Sequence, residues 1–254
     1  YSYTSPSKRN ISDRFKILIN SNILNTKHKI IITSYKALVA LLPDRDEIEN
    51  NNYILKCNNN YNTNELISYL VNKGYNNASL VLEPNEFSSR GGIIDIWPVG
   101  ENKPYRLDFF GNSLESIKEF DPISQISKGG IKKLIISQNI EPPFTKESVH
   151  IFIAKYRDLF GAVTNKKLLV NKVKNFIKPD GIEHWMPLFY KKKLITIFDY
   201  FKIDTIIFNN QSLSAAYEYI DEINSIYEDE ANSYNLDLDN VNGPINTNLL
   251  YLER

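Results

Sequence analysis

Tyr105-Arg106-Leu107-Asp108-Phe109-Phe110 alternates with a period of two, and this hexapeptide organises the reading of the whole chain. In an extended strand successive side chains point to opposite faces, so Tyr105, Leu107 and Phe109 share one face. Arg106, Asp108 and Phe110 share the other. The first set is a core face. The second carries two charges and should be wet, yet it also displays a phenylalanine. A large aromatic beside an arginine on an otherwise polar strand face is the composition of a protein-binding hot spot. The same residues also admit a purely structural arrangement, with Phe110 tucked against the Gly111 turn and Arg106 paired with Asp108 or Asp95. Arg90, just before the Gly91-Gly92 bend, projects near the same surface.

Working outward, Ile93 to Trp97 reads as a strand joined to the hexapeptide through the Pro- and Gly-bearing turn 98–104. Gly111-Asn112 then turns the chain into a further strand, roughly Leu114 to Phe120. Upstream, Asn62 or Thr63 caps a helix in which Leu66, Ile67, Leu70 and Val71 share a face and Gly74 supplies the stop. A short apolar run, Ser79 to Leu82, follows it. Residues 51–137 therefore read as an antiparallel meander with one helix, a small α+β unit.

The flanks differ in character. Residues 1–50 hold a polar opening (Tyr1 to Asn10), an amphipathic helix from about Ile11 to Ile19 capped by Asn10 or Ser12, and the buried strand Lys29-Ile30-Ile31-Ile32-Thr33. A helix over Tyr35–Leu42 ends at Pro43, and strand followed directly by helix is the grammar of an α/β unit. In residues 138–254, Thr145 caps a helix whose Val149, Phe152, Ile153, Tyr156, Leu159 and Phe160 form a stripe closed by Gly161. A second helix covers about Lys166 to Ile177. The aromatic segment Gly181–Tyr190, a strand Thr205-Ile206-Ile207-Phe208 and a long helix from about Ser212 to Asn232 complete the chain.

The 254 residues are 42% hydrophobic, with 30 Lys+Arg against 30 Asp+Glu. Zero net charge argues against a general nucleic-acid binder, which would carry a basic excess or stripe. No apolar run approaches the roughly 18 residues of a membrane span. A single cysteine, Cys57, excludes an intramolecular disulfide framework and fits a reducing cytoplasm. The chain opens on Tyr1 without a signal peptide, so it is expected to be a piece of a longer protein.

The catalytic inventory is thin. There is no Gly-x-x-x-x-Gly-Lys-Ser/Thr phosphate loop, and Gly91-Gly92 and Gly129-Gly130 read as bends or bulges. No His-Glu-x-x-His or Cys-x-x-Cys pair offers metal ligands. His28, His150 and His184 lie far apart. His184, between Glu183 and Trp185, is the one candidate for acid–base work, but no nucleophile or matching base accompanies it and packing is the favoured role. No catalytic, metal or cofactor-binding residue is assigned.

Leu82-Glu83-Pro84-Asn85-Glu86-Phe87-Ser88-Ser89-Arg90-Gly91-Gly92-Ile93-Ile94-Asp95-Ile96-Trp97-Pro98, Pro104-Tyr105-Arg106-Leu107-Asp108-Phe109-Phe110-Gly111, Glu115-Ser116-Ile117 and Phe120-Asp121-Pro122 together closely resemble the UvrB-homology module of the bacterial transcription-repair coupling factors (Mfd). The excision-repair protein UvrB carries a related segment. Tyr156-Arg157-Asp158-Leu159-Phe160-Gly161 and Gly181-Ile182-Glu183-His184-Trp185-Met186-Pro187-Leu188-Phe189-Tyr190 resemble the coupling factors in particular; UvrB has a shorter Gly-Ile-Glu-Asn-Tyr pattern at the second place. The resemblance runs over essentially the whole chain.

The resemblance implies an α/β fold: a split, degenerate RecA-like (P-loop NTPase-type) domain, 1–50 and 138–254, with residues 51–137 as an inserted small α+β domain that binds UvrA. It places the partner contacts on Arg90, Arg106 and Phe110, the residues already marked by the strand pattern. A joint change of Arg106 and Phe110 to Ala is then expected to abolish UvrA binding with the fold intact. It also implies that this piece is not an enzyme. UvrB follows the strand equivalent to 205–208 with an Asp-Glu pair that organises magnesium and water, and here Asn209-Asn210-Gln211 stands instead; neutral amides cannot replace carboxylates as hard ligands or base. Ser5-Pro6 leads directly toward a helix where UvrB has its lesion-probing hairpin. Gln125 is followed by Ile126, whereas the family usually has Gln-Arg there. ATP, magnesium, DNA and RNA polymerase would belong to other domains of a cytoplasmic bacterial translocase, one of which would mask the UvrA surface intramolecularly. The competing expectation is a UvrB-like ATPase that binds damaged DNA.

Overall fold

The computed structural model describes residues 5–19, 21, 30–49, 52–138, 141–161, 168–236 and 242–253. Its strands and helices make a mixed α/β protein that divides into two compact units. One comprises Pro6–Asn20 and Ile48–Pro143; the other comprises Tyr1–Ser5, Ser21–Glu47 and Phe144–Arg254. Of the sequence expectations, Lys29, His28, Asn50, Asn51 and Lys166 lie outside the described residues.

The first unit is built on the meander. Strands β1 (Tyr53–Lys56), β2 (Asn76–Asn77), β3 (Glu86–Arg90), β4 (Ile93–Ile96), β5 (Tyr105–Phe110), β6 (Ser113–Phe120), β7 (Ser127–Ile131) and β8 (Lys133–Ile136) form two sheets. The larger has the order β2-β3-β4-β5-β6-β7, antiparallel from β3 onward, and β1 pairs with β8 in a two-stranded ribbon. Alternation places Phe87, Ile94, Ile96, Tyr105, Leu107, Phe109, Leu114 and Ile117 in the core, as the period-two pattern predicts. Two helices accompany the sheets. Helix α1 (Lys8–Ile19) starts at Ser7, whose hydroxyl accepts from the Asn10 amide, so the cap lies earlier than Asn10 or Ser12. Its Ile11, Phe15 and Leu18 are buried, and by its contacts it groups with the sheet unit and not with the rest of the first fifty residues.

Helix α4 (Thr63–Asn72) is capped by Asn62, whose side chain accepts from the amides of Asn64 and Glu65, and it stops at a positive-φ Gly74. Leu66 and Leu70 are buried, while Val71 of the expected stripe is exposed. The buried Tyr75 hydroxyl donates to the Ser137 carbonyl and accepts from the Val99 amide, tying three segments together.

The second unit is helical in its described residues. Helix α2 (Tyr35–Val39), helix α3 (Arg45–Glu49, which reaches the unit boundary), α5 (Lys146–Phe160), α6 (Leu168–Lys174), α7 (Ile197–Tyr200) and α8 (Asn210–Leu236) are joined by 3-10 turns at Ile182–Phe189 and Thr247–Leu249. Thr145 and Ser148 form a capping box at α5. Val149, Phe152 and Tyr156 pack with Val170, Val173, Ile182, Leu188, Phe189 and Ile245. The stripe is narrower than expected, since Leu159 is exposed.

The two expected strands of this unit do not form. Residues 30–33 and 205–208 belong to no strand or helix, with Ile30, Ile32 and Ile207 each more than 90% exposed. A strand exists only through its ladder, and among the described residues neither run has a neighbour to pair with. Apolar β-branched composition supplies the propensity but not the partner.

Gly92, in the turn between β3 and β4, brings its backbone close to that of β5. A Cβ there would lie 2.5 Å from the Phe109 carbonyl oxygen, whose residue also donates its amide to the Gly92 carbonyl at 2.7 Å. Gly92→Ala is therefore expected to cost about 1–3 kcal/mol by forcing β4 and β5 apart. A chemical-denaturation midpoint equal to that of the unchanged protein would contradict this.

Candidate protein-docking face

The antiparallel register fixes which side chains meet on the outer face of the sheet. Ser88 of β3, Asp95 of β4, Arg106 of β5 and Lys118 of β6 stand in one row, and Arg90, Ile93, Asp108 and Ser116 in the next. Phe110 and Ser113 close the face beside the Gly111 turn, where Gly111 has φ +60°.

Asp95 is the buried centre of this face, 1% exposed. Arg106 grips it with both prongs, Nε to Oδ1 at 2.7 Å and Nη2 to Oδ2 at 2.9 Å. This fork-to-fork geometry is the strongest form of a charge-assisted pair. Arg90 approaches the same carboxylate, Nη2 to Oδ2 at 3.6 Å, while its side chain stays largely in solvent. The Arg106 guanidinium also lies over the Phe120 ring, 4.8 Å from the centroid. Its hydrogen bonds to Asp95 raise its already high pKa against the opposing effect of burial, with the coulombic attraction of the same carboxylate adding to the rise.

The far side of Arg106 meets the turn between β6 and β7. Nη1 donates to the Gln125 carbonyl at 3.2 Å and to the Ser127 hydroxyl at 3.4 Å, and Nη2 reaches Gln125 Oε1 at 3.5 Å. That turn is shaped by Asp121, whose Oδ1 accepts from the Ile123 amide, the Ser124 amide and the Ser124 hydroxyl. These bonds, the Ser124 amide first among them, hold the Asp121 carboxyl below its ordinary range.

The two arrangements left open by the strand pattern are both present in part. Arg106 does pair with Asp95, as the structural alternative requires, and Asp108 is exposed. Phe110, however, does not tuck against its turn; it is 82% exposed. Arg106 is thus also part of the fold, and its replacement by Ala would leave the buried Asp95 without its bidentate partner. The turn 121–126 was missed at the sequence level, although Asp121-Pro122 followed by Ser124 is the composition of an Asx turn.

Asn209 caps α8, its Oδ1 accepting from the Ser212 amide at 2.7 Å and the Ser212 hydroxyl at 2.6 Å. His184 stands edge-on to Trp185, and Lys155 donates to the carbonyls of Pro187 and Tyr190. Among the described residues no cluster of three or more His, Cys, Asp or Glu side chains is arranged to hold a metal, and no helix is long and apolar enough to cross a membrane.

The strands and turn that carry this face coincide with a known domain. Residues 54–140 match the UvrB interaction domain family. Along most of its length the chain is also similar to transcription-repair-coupling factors: 27% identical over 86% of this chain to that of Escherichia coli, 33% over 89% to that of Rickettsia conorii, and 32% over 99% to that of Rickettsia typhi. These alignments cover 19%, 20% and 22% of the respective relatives, so the chain spans about a fifth of their length. The similarity is to proteins of DNA repair and transcription-repair coupling. The UvrB interaction domain match contains Arg90, Asp95, Arg106, Phe110 and the whole 121–126 turn.

Asp95 and Phe110 should separate cleanly in stability measurements. Asp95→Ala strands Arg106 without its buried partner and is expected to cost about 3–5 kcal/mol. Phe110→Ala, at an exposed position, should stay within about 0.5 kcal/mol of the unchanged protein in the same denaturation assay. The Asp121 turn should be sensitive to acid alone. Because its folded pKa is depressed, its contribution is complete above about pH 4 and is lost as pH falls through the lowered value. The Ile123 and Ser124 amide resonances should move below pH 4 and stay fixed between pH 5 and 8.

Proposed function

We propose that this chain is a non-catalytic docking module that recruits UvrA, acting within a larger transcription-repair coupling protein that engages stalled RNA polymerase. The observation that carries the proposal is Phe110, a phenylalanine held 82% exposed at the end of a strand paired on both sides, on a sheet face that also presents Arg90. Aromatics and arginines dominate interface energetics, and an exposed phenylalanine beside an arginine on one sheet face has that composition. In this reading Phe110 fills an apolar notch on UvrA and Arg90 pairs with an acidic group at its rim. Arg106 underlies both as the third member of the set. The similarity of residues 54–140 to the UvrB interaction domain supports the choice of partner.

The remaining flanks, 1–50 and 138–254, would be the two parts of a degenerate RecA-like domain around the insert 51–137. ATP, magnesium, DNA and polymerase would be handled by other domains of the cytoplasmic parent, one of which would cover the UvrA face until it is needed. A UvrB-like ATPase, by contrast, would gain thermal stability from ATP with magnesium, and this chain should gain none.

Calorimetric titration of UvrA into the chain tests the proposal. Phe110→Ala should weaken binding about 30-fold or more without shifting the unfolding temperature. Arg90→Ala should weaken it less and flatten its dependence on salt. Undiminished affinity in Phe110→Ala would remove the basis of the reading.

A further inference from the structure

We infer that the docking face has a second apolar anchor, Ile123 with Ile126 on the turn between β6 and β7, and that Arg106 serves it as a positioning residue. The inference rests on the UvrA-docking reading and extends it.

The donor count on Arg106 is the first observation. A guanidinium has five N–H donors. Here there are five acceptor contacts inside the chain: Asp95 Oδ1, Asp95 Oδ2, the Gln125 carbonyl, Gln125 Oε1 and Ser127 Oγ. No donor is left over for a partner, and the side chain is only 24% exposed. What the arginine does is connect. One edge holds the buried Asp95 on β4, and the other holds the 125–127 backbone.

The second observation is what that backbone presents. Ile123 is 90% exposed and Ile126 is 60% exposed. Single exposed aliphatics are ordinary, but these two stand on a turn that is fixed from every side. The Gln125 amide donates to the Asp121 carbonyl at 2.8 Å, and the Asp121 amide donates to the Ile126 carbonyl at 3.1 Å. Gln125 Nε2 donates to the carbonyls of Pro122 at 2.7 Å and Val81 at 3.3 Å. Gln125 itself sits at φ +60°, a conformation that favours glycine, and it is held there by these bonds and by Arg106. A rigid turn loses little entropy when its side chains are buried against a partner. Arg106 joins the turn to the strand that ends in Phe110, and on this inference both lie under one partner surface. Its chemistry follows: a second apolar recess on UvrA beside the one that takes Phe110, with no carboxylate needed opposite Arg106.

The test is a set of titrations of UvrA with the full chain and its variants. Ile123→Ser should lower affinity about tenfold and Ile126→Ser by a smaller factor, both with unchanged unfolding temperature. Arg106→Lys keeps the charge but cannot span Asp95 and the Gln125 carbonyl together, and it should weaken binding. In the Arg106→Lys background Ile123→Ser should cost much less than it does alone, because the anchor is already loose. If Phe110→Ala weakens binding while Ile123→Ser and Ile126→Ser do not, the docking reading stands and the second anchor is wrong. If the Arg106 and Ile123 losses simply multiply, Arg106 is not positioning the turn. If the unchanged chain does not bind UvrA, both ideas fall together.

Discussion

The sheet face depends on one carboxylate taken out of water. Asp95 can remain buried only because Arg106 meets both of its oxygens and Arg90 stands nearby. Satisfying that charge fixes more than a pair of side chains. It fixes the rotamer of Arg106, whose outer nitrogens order the turn after β6, and it orients Arg90 at the edge of β3. The surface that emerges is rigid because its centre cannot relax without exposing an unpaired charge. Phe110 owes its position to the backbone of β5 and to the Gly111 turn, so it adds little to stability. A buried ion pair that organises and an exposed aromatic that contacts are different jobs, and here different residues hold them.

The two units express opposite relations between propensity and partner. In the larger sheet each strand pairs with its neighbour in sequence, so local turns such as Gly91-Gly92 and Gly111-Asn112 are enough to bring ladder partners together. In the helical unit two isoleucine-rich runs have strand composition without a ladder among the described residues, and they remain exposed. The unit instead draws its core from helix stripes and an aromatic 3-10 segment. Its longest helix, α8, buries only Ala216 and Ile220 and carries six acidic residues without a lysine or arginine.

Much of this was legible in the sequence where the determinant was local. The limits of β5, the Asn62 and Thr145 caps and the Gly74 and Gly161 stops follow from two to four residues each. Strands β1, β7 and β8 were not legible, because Ser127-Lys128-Gly129-Gly130-Ile131 has no alternation and β1 finds its partner some eighty positions later. The burial of Asp95 was equally hidden. Period-two alternation places it on the wet face of β4, whereas it lies buried against Arg106, which is itself bonded to the turn 121–127. The resemblance pointed to Arg106 and Phe110 as equals, whereas the hydrogen bonds assign all the donors of one of them inward.

For a chain that spans about a fifth of its relatives, the central claim concerns one face of one unit. Hydrogen exchange of the chain with and without UvrA tests it most directly. The account predicts slowed exchange confined to β5, its Gly111 turn, the end of β3 at Arg90 and the turn 121–126, with α5 and α8 unchanged. Protection centred on the helical unit, or none within residues 86–127 at saturating UvrA, would contradict it.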